Sequence, residues 1–190
     1  GPGMQSTGEV IGIHADPRVA LAKALLGAAL VPPTPGEGGA LALLSIADRD
    51  KALLPRLARA LATADYRLAA TPGTRAALAD AGHAAAPVAK LGEPADVAGG
   101  EVPILDLIAS GEVRLVVNTP TPRSGAVRDA AEIRLASTGE GILCLTAMET
   151  AVAAAEALDP AIAAQLAEVR SLGEWVPQPG RPRAVAAITG

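Results

Sequence analysis

Short apolar runs alternate with helical stretches from residue 40 onward, and this alternation limits the possible folds more than any other feature of the chain. Buried strands separated by helices need crossover connections, which place the strands parallel in one sheet with helices on both faces. The pattern therefore predicts a three-layer, Rossmann-like α/β domain with a five-stranded parallel sheet. The predicted strands are 40–46, 66–70, 86–90, 113–118 and 141–145, and the predicted helices are 51–63, 73–81, 103–110, 125–137 and 147–157.

Composition argues against several classes of protein. Half of the 190 residues are apolar, yet there is one Trp, one Tyr and no Phe, so the core must consist of Leu, Val, Ile and Ala. The net charge of -4 and the lack of a basic patch with interleaved aromatic residues argue against nucleic acid as a partner. No apolar run approaches the roughly 20 residues that span a bilayer. We therefore expect no membrane partner. The single cysteine, Cys144, excludes an internal disulfide framework, which is typical of a cytoplasmic protein. Cys144 lies within an apolar run, so we expect its thiol to be buried.

The two ends of the chain differ from its regular middle. Residues 1–3 precede Met4 and are typical of a protease-cleavage scar. Residues 4–38 combine a short apolar run, a predicted helix over 17–30 with Asp16 as its N-cap, and a linker rich in Pro and Gly. A segment of roughly 30 residues cannot bury a core of its own, so we interpret it as the tail of a preceding unit. The main domain is placed at 39–160, and a C-terminal helix and tail at 161–190.

Polar side chains recur where the predicted strands end. Lys51 begins the helix after the first strand, Thr71 and Thr74 lie at the junction of the second strand and its helix, and Lys90 and Asn118 end the third and fourth strands. In an open α/β sheet, ligands bind at these carboxyl ends. A phosphate group is held by backbone N–H groups at a helix N-terminus, by hydroxyls and by a cation, and Gly73 allows a close approach of the backbone. The pattern therefore predicts a site for a small phosphorylated molecule, with Lys90 and Asn118 near a ribose hydroxyl or a base edge.

Each of these residues also has a structural explanation. The Thr71-Pro72-Gly73-Thr74 segment is a common way to begin a helix, with a threonine as the N-cap. Lys51 has Asp48 and Asp50 beside it as ion-pair partners. Lys90 and Asn118, taken singly, are typical of solvated loops. The recurrence at four strand ends is what favours a site.

Catalytic and metal-binding patterns are weak by comparison. His14 and His83 have no nucleophile partner in the sequence, and no Cys/His set has the spacing of metal ligands. The chain contains neither a P-loop nor an intact dinucleotide-binding fingerprint. Asp106 lies within a predicted helix, where a solvated carboxylate is expected. We therefore predict no catalytic residue, no metal site and no cofactor in this chain, which is equipped to hold a ligand and poorly equipped to transform it.

Six motifs in a fixed order resemble the methylglyoxal-synthase-like regulatory domain at the C-terminus of the carbamoyl phosphate synthase large chain. They are Ser45-Ile46-Ala47-Asp48-Arg49-Asp50-Lys51, Ala70-Thr71-Pro72-Gly73-Thr74, Val88-Ala89-Lys90 and the runs 104–112, 116–120 and 129–134. The upstream run Ser6-Thr7-Gly8-Glu9-Val10-Ile11-Gly12 is similar to the end of the second ATP-grasp synthetase unit in that family. The resemblance covers about residues 5–160.

The resemblance implies that the domain binds nucleotide monophosphates, with UMP as inhibitor and, in some members, IMP or ornithine as activator. Carried over by motif, Lys51, Thr71, Gly73 and Thr74 would hold the phosphate with Ser45 close by, and Lys90, Asn118 and Thr119 would contact the ribose and base. The parent enzyme would be a ligase that makes carbamoyl phosphate for pyrimidine and arginine synthesis. It would use ATP with Mg or Mn and K, and its partners would be its own synthetase units and the small glutaminase subunit.

Three departures from the family pattern bear on the ligand. Ala147 replaces a threonine near the last strand, so no ornithine site is assigned. The loop after Lys90 carries an apparent insertion at 94–100, and the loop 121–124 bears Pro and Arg where the family is often rich in Gly. Rival interpretations are methylglyoxal synthase, whose Gly-Gly-Asp motif appears as Gly99-Gly100-Glu101, the related cyclohydrolase domain that forms IMP, and a purely structural or oligomerisation domain.

Overall fold

The computed structural model describes residues 9–14, 16–28, 30, 39–121, 125–162 and 184–189. Its strands are β1 Glu9–His14, β2 Ala40–Ser45, β3 Tyr66–Ala70, β4 Ala86–Ala89, β5 Val102–Pro103, β6 Val113–Asn118, β7 Leu143–Leu145 and β8 Ala184–Thr189. Its α-helices are α1 Pro17–Gly27, α2 Leu54–Thr63, α3 Pro72–Asp80, α4 Ile104–Ala109, α5 Ala126–Gly139 and α6 Met148–Ala157, and a 3₁₀ helix covers Asp48–Leu53. The predictions for residues 1–8, 31–38, 122–124 and 163–183 lie outside the described residues.

The main sheet is parallel, as predicted, but it has six strands and not five. Their order is β5-β4-β3-β2-β6-β7. The sixth strand, β5, lies in the loop that the sequence indicated to be irregular, and it pairs Val102 with Val88 and Pro103 with Ala89. A two-residue strand carries no periodic apolar signal, and Pro103 fits there because an edge strand tolerates a residue without an N–H group.

Helices cover both faces of the sheet, which confirms the three-layer architecture. Ala42 and Leu44 of β2 belong to one buried cluster, together with residues of α1, α2 and α6. Leu41 and Leu43, whose side chains point to the opposite face, belong to a second cluster with residues of α4 and α5. A strand buried on both faces is read from sequence as a continuous apolar run, which is the pattern of residues 40–46.

The second α-helix begins later than predicted. The chain first forms the 3₁₀ helix Asp48–Leu53, and α2 starts at Leu54 with Pro55 in its first turn. Proline is tolerated at this position because the first N–H groups of a helix have no partner within the helix. Lys51 therefore lies in a tight turn between β2 and α2 and not in the α-helix itself.

The N-terminal segment packs onto the main domain. Helix α1 starts at Pro17, and the Asp16 carboxylate accepts the Arg18 N–H at 2.9 Å, which confirms the predicted cap. Val19 and Leu25 of α1 are fully buried in the same cluster as α2 and α6. Within the predicted C-terminal tail, β8 pairs antiparallel with β1 in a separate two-stranded sheet. No described helix is long and apolar enough to cross a membrane.

We expect the chain's single tyrosine to resist ionisation in the folded protein. Tyr66 is only 5% exposed, and burial raises the pKa of its phenol to about 12, with Arg114 acting in the opposite direction. The folded pKa lies above the ordinary value of 10.0. The free energy of unfolding should therefore be unaffected below that ordinary value and fall, by at most ~2–3 kcal/mol, as the pH rises through the folded pKa.

The tyrosinate absorbance of the folded protein, followed with circular dichroism to monitor folding, measures this pKa. A folded-state midpoint at the value of the urea-unfolded chain would contradict the expectation.

Candidate anion-binding site

All eight residues that were predicted to bind a ligand line one cavity of about 190 Å³. The cavity lies at the carboxyl ends of β2, β3, β4 and β6. Its predicted members are Ser45, Lys51, Thr71, Gly73, Thr74, Lys90, Asn118 and Thr119. The structure therefore brings these residues together, although they are spread over 75 positions of the chain, from 45 to 119.

Backbone hydrogen bonds hold the strand ends around the cavity. The Thr71 N–H donates to the Leu44 carbonyl at 3.2 Å, and the Thr119 N–H donates to the Ser45 carbonyl at 3.0 Å. Ser45 also lies opposite Asn118 in the β2–β6 register. These bonds extend the sheet by one residue on each side of β2, so the residues that follow β3 and β6 flank Ser45.

The first turn of α3 borders the cavity, and Gly73 and Thr74 of this turn line it. Pro72 has no N–H group, and the first bond of the helical ladder runs from the Arg75 N–H to the Thr71 carbonyl at 2.8 Å. The N–H groups of Gly73 and Thr74 precede that bond and have no i−4 carbonyl within the helix. A helix N-terminus with such groups attracts anions, because the helix dipole places positive partial charge there.

The Lys51 ammonium lies directly against this turn. A Cβ atom built on Gly73 would be 3.2 Å from Lys51 Nζ, which is tighter than most real Cβ contacts. Glycine at position 73 thus leaves room for the cation beside the backbone. The arrangement combines a full positive charge with two helix N–H groups, which is the combination that a phosphate needs.

The predicted ion pair of Lys51 is also present. Its Nζ atom lies 2.7 Å from Oδ1 of Asp48, whose side chain is 95% exposed, whereas that of Lys51 is 25% exposed. An ion pair with so exposed a carboxylate contributes little to stability. Because water solvates the Asp48 carboxylate well, an anion in the cavity can compete for the Lys51 ammonium.

The threonine hydroxyls do not cap α3. Thr71 occupies the N-cap position but makes no side-chain capping bond. The Thr74 hydroxyl accepts the Ile46 N–H at 2.9 Å and lies 3.4 Å from the Ile46 carbonyl. The Thr71 hydroxyl lies 3.3 Å from that of Thr74 and 3.5 Å from that of Ser45. Both threonines are 2% exposed, so their hydroxyls form a buried network within the cavity wall.

The cavity is also lined by residues that the sequence analysis did not select. Asp129, Ala130 and Ile133 of α5 line it, as does Glu93, whose N–H donates to the Lys90 carbonyl at 3.1 Å. Asp129 and Ile133 are four positions apart and so share one helix face, within the motif 129–134. From this spacing, the sequence could have indicated that Asp129 and Ile133 face the same cavity. Among the described lining residues there are thus two lysines and three carboxylates, including Asp48.

The residues considered for catalysis lie elsewhere. His14, His83, Asp106 and Glu101 do not line this cavity. His83 and Glu101 line a second cavity of about 510 Å³ beside α3 and β4, where a Glu101 carboxylate oxygen accepts the Asp96 N–H at 2.9 Å. Over the described part of the chain, no group of His, Cys, Asp and Glu could hold a metal ion. Cys144 is half-buried, and burial raises the pKa of its thiol, with Ser137 and Arg134 opposing the shift.

A family model for the MGS-like domain matches residues 54–146. This part of the chain is an MGS-like domain. The match contains Thr71, Gly73, Thr74, Lys90 and Asn118, whereas Ser45 and Lys51 precede it.

Curated relatives extend the similarity on both sides of the MGS-like domain. The carbamoyl phosphate synthase large chain of Thermomicrobium roseum is 41% identical over 159 residues, which are 83% of this chain and 14% of that protein. The large chain of Mycobacterium tuberculosis is 37% identical over 174 residues, or 92% of this chain and 15% of that protein. That of Methanothrix thermoacetophila is 34% identical over 175 residues, with the same coverage. The chain therefore spans a small part of the length of these relatives.

Proposed function

We propose that this chain is the allosteric regulatory domain of a glutamine-dependent carbamoyl phosphate synthase large subunit and that its cavity binds a nucleotide monophosphate. UMP is the proposed inhibitor, and IMP or ornithine is the alternative activator. One observation carries the proposal: the Lys51 ammonium lies at the N-terminus of α3, inside a cavity that also holds every other predicted ligand-binding residue.

The phosphate would bind at the α3 end of the cavity. Lys51 would supply the positive charge, and Gly73 and Thr74 would supply backbone N–H groups. The Ser45 and Thr71 hydroxyls are close enough to each other, at 3.5 Å, to donate to neighbouring phosphate oxygens. Since the Thr74 hydroxyl already accepts the Ile46 N–H, Thr74 would act chiefly through its own N–H.

The nucleoside would occupy the opposite end. Lys90 and Asn118 are the proposed contacts to the ribose and base, and Ile104 and Ile133 add apolar surface to the cavity wall. The chain's single tyrosine lies in the core, and no aromatic side chain is among the described residues that line the cavity. A base would therefore rest on aliphatic surface, so the phosphate and the ribose would provide most of the affinity.

The size of the relatives supports a role in regulation. Residues similar to this chain make up 14% of the first of them. We propose that the remainder carries the ligase activity, with ATP, Mg or Mn, and K, and that it associates with a small glutaminase subunit in the cytoplasm. An effector that binds one arrangement of the MGS-like domain and the synthetase units more tightly shifts their equilibrium, by a coupling of about 1–3 kcal/mol in typical cases.

The methylglyoxal synthase alternative has less support. Glu101 stands where that enzyme would have its aspartate, yet it does not line the anion cavity. Its side chain lines the second cavity and accepts a hydrogen bond from the backbone of Asp96. We therefore propose no catalytic residue in this fragment.

Calorimetric titration of the protein with UMP, IMP and ornithine tests the proposal. We expect UMP to bind and to compete with IMP for one site, because both would use the same phosphate cradle. A parallel incubation with dihydroxyacetone phosphate should yield no methylglyoxal. Absence of nucleotide binding at millimolar concentration would refute the regulatory function, and production of methylglyoxal would support the enzymatic alternative.

A further inference from the structure

The turn that carries Lys51 is attached to the loop that follows β6. We propose that Thr119 is a positioning residue, which holds the Lys51 turn in place and so links the nucleoside end of the cavity to its phosphate end. The inference rests on the proposed function in that it assigns Lys51 to the phosphate. It differs from the role that the family resemblance implies for Thr119, which is a direct contact to the ribose or base.

Two threonines hold the start of the turn from opposite sides. The Ala47 N–H donates to the Thr119 hydroxyl oxygen at 2.8 Å, and the Ile46 N–H donates to the Thr74 hydroxyl oxygen at 2.9 Å. Thr74 and Thr119 follow β3 and β6, the two strands that flank β2. All four residues are buried, with Thr119 4% exposed, so water cannot easily replace either hydrogen bond.

Ala47 passes this restraint to the Lys51 turn. Its carbonyl accepts the Asp50 N–H at 2.9 Å, and it is the residue that precedes the 3₁₀ helix Asp48–Leu53. A continuous path of hydrogen bonds therefore runs from the Thr119 hydroxyl through the Ala47 peptide groups to Asp50, the neighbour of Lys51. Hydrogen bonds joined in one network are coupled, so loss of the Thr119 bond should also loosen the bond between Ala47 and Asp50.

A second bond joins the same two segments. The Arg49 guanidinium donates to the Pro120 carbonyl at 2.9 Å, and Pro120 follows Thr119 in the wall of the cavity. The Lys51 turn and the β6 loop are thus connected at two points, one buried and one exposed. A ligand that displaces the β6 loop would displace the Lys51 ammonium with it.

Inorganic phosphate and UMP together distinguish positioning from direct contact. If Thr119 acts through Lys51, Thr119→Val should weaken the binding of both probes by a similar factor, about five- to tenfold, since one hydrogen bond is lost. Thr119→Ser keeps the hydroxyl and should restore most of the affinity. In the Lys51→Ala background, Thr119→Val should have no further effect on phosphate binding, because the residue through which it acts is gone. Circular dichroism and thermal unfolding of each variant serve as folding controls.

Three results would overturn the proposal. The first is that Thr119→Val weakens the binding of UMP and leaves that of inorganic phosphate unchanged, which would indicate a direct nucleoside contact. The second is that the losses of phosphate affinity caused by Thr119→Val and Lys51→Ala add fully in the double variant. The third result is unchanged hydrogen exchange of the Ala47 and Asp50 amides, which we expect to be faster in Thr119→Val than in Thr119→Ser. This measurement needs no ligand. It therefore still tests the positioning role if the wild type binds neither probe and the proposed function fails.

Discussion

Replacing Lys51 with alanine should weaken UMP binding by roughly 10- to 150-fold, the effect of losing one charge-assisted hydrogen bond. The side chain supplies the positive charge at the first turn of α3. Its removal also ends the 2.7 Å ion pair with Asp48, so the cavity wall keeps that carboxylate but loses a positive charge close to the phosphate. Calorimetry on the wild type and the variant measures the ratio of dissociation constants.

The exposed Arg59 on α2 provides a matched control. Arg59→Ala removes one positive charge from the same region of the chain without touching the cavity, so it reports the general effect of net charge. That effect should be small and should vanish at high salt, where distant charges are screened. Equal affinity in the wild type and Lys51→Ala, with both proteins folded, would place the phosphate somewhere else.

The largest expected effect on stability comes from the core between α2 and α6. Leu61 of α2 is fully buried in the cluster that contains residues of both helices. Leu61→Ala removes buried apolar atoms and leaves a cavity, so the free energy of unfolding should fall by ~2–5 kcal/mol. Denaturant unfolding followed by circular dichroism gives this value directly.

Leu135 of α5 offers the same substitution on a helix surface, because its side chain is 74% exposed. Both positions lie within α-helices, so the small difference in helix propensity between Leu and Ala is shared. Leu135→Ala should change the free energy of unfolding by less than about 0.5 kcal/mol. Similar losses at the two positions would mean that the α2–α6 core is not packed as described.

The sequence could predict that the site residues lie close together, and the reason is geometric. Parallel strands joined by helices all end at one edge of the sheet, so residues that follow different strands meet there. Ser45 and Asn118 end β2 and β6, Thr71 and Lys90 follow β3 and β4 directly, and all four line one cavity. The order of those strands in the sheet was not needed for this inference, since every strand end lies at the same edge.

Several parts of the fold depend on contacts between distant segments. The strand β5 exists only through its pairing with β4, and β1 pairs with β8, which lies about 170 residues farther along the chain. Such pairings leave little local pattern, because each partner supplies hydrogen bonds that the other segment's own residues cannot provide. The burial of α1 against the main core is a contact of the same kind.

The residues alone determined the alternation of strands and helices, the parallel sheet with helices on both faces, and the set of polar positions at its carboxyl edge, because spacing and strand polarity suffice for those. Only the tertiary structure decided what each side chain does there. The hydroxyls of Thr74 and Thr119 bond to the backbone of Ile46 and Ala47, and Asp129 enters the cavity from α5. A hydroxyl can bond only to a partner that lies within about 3 Å of it, and only the folded chain establishes which group that is.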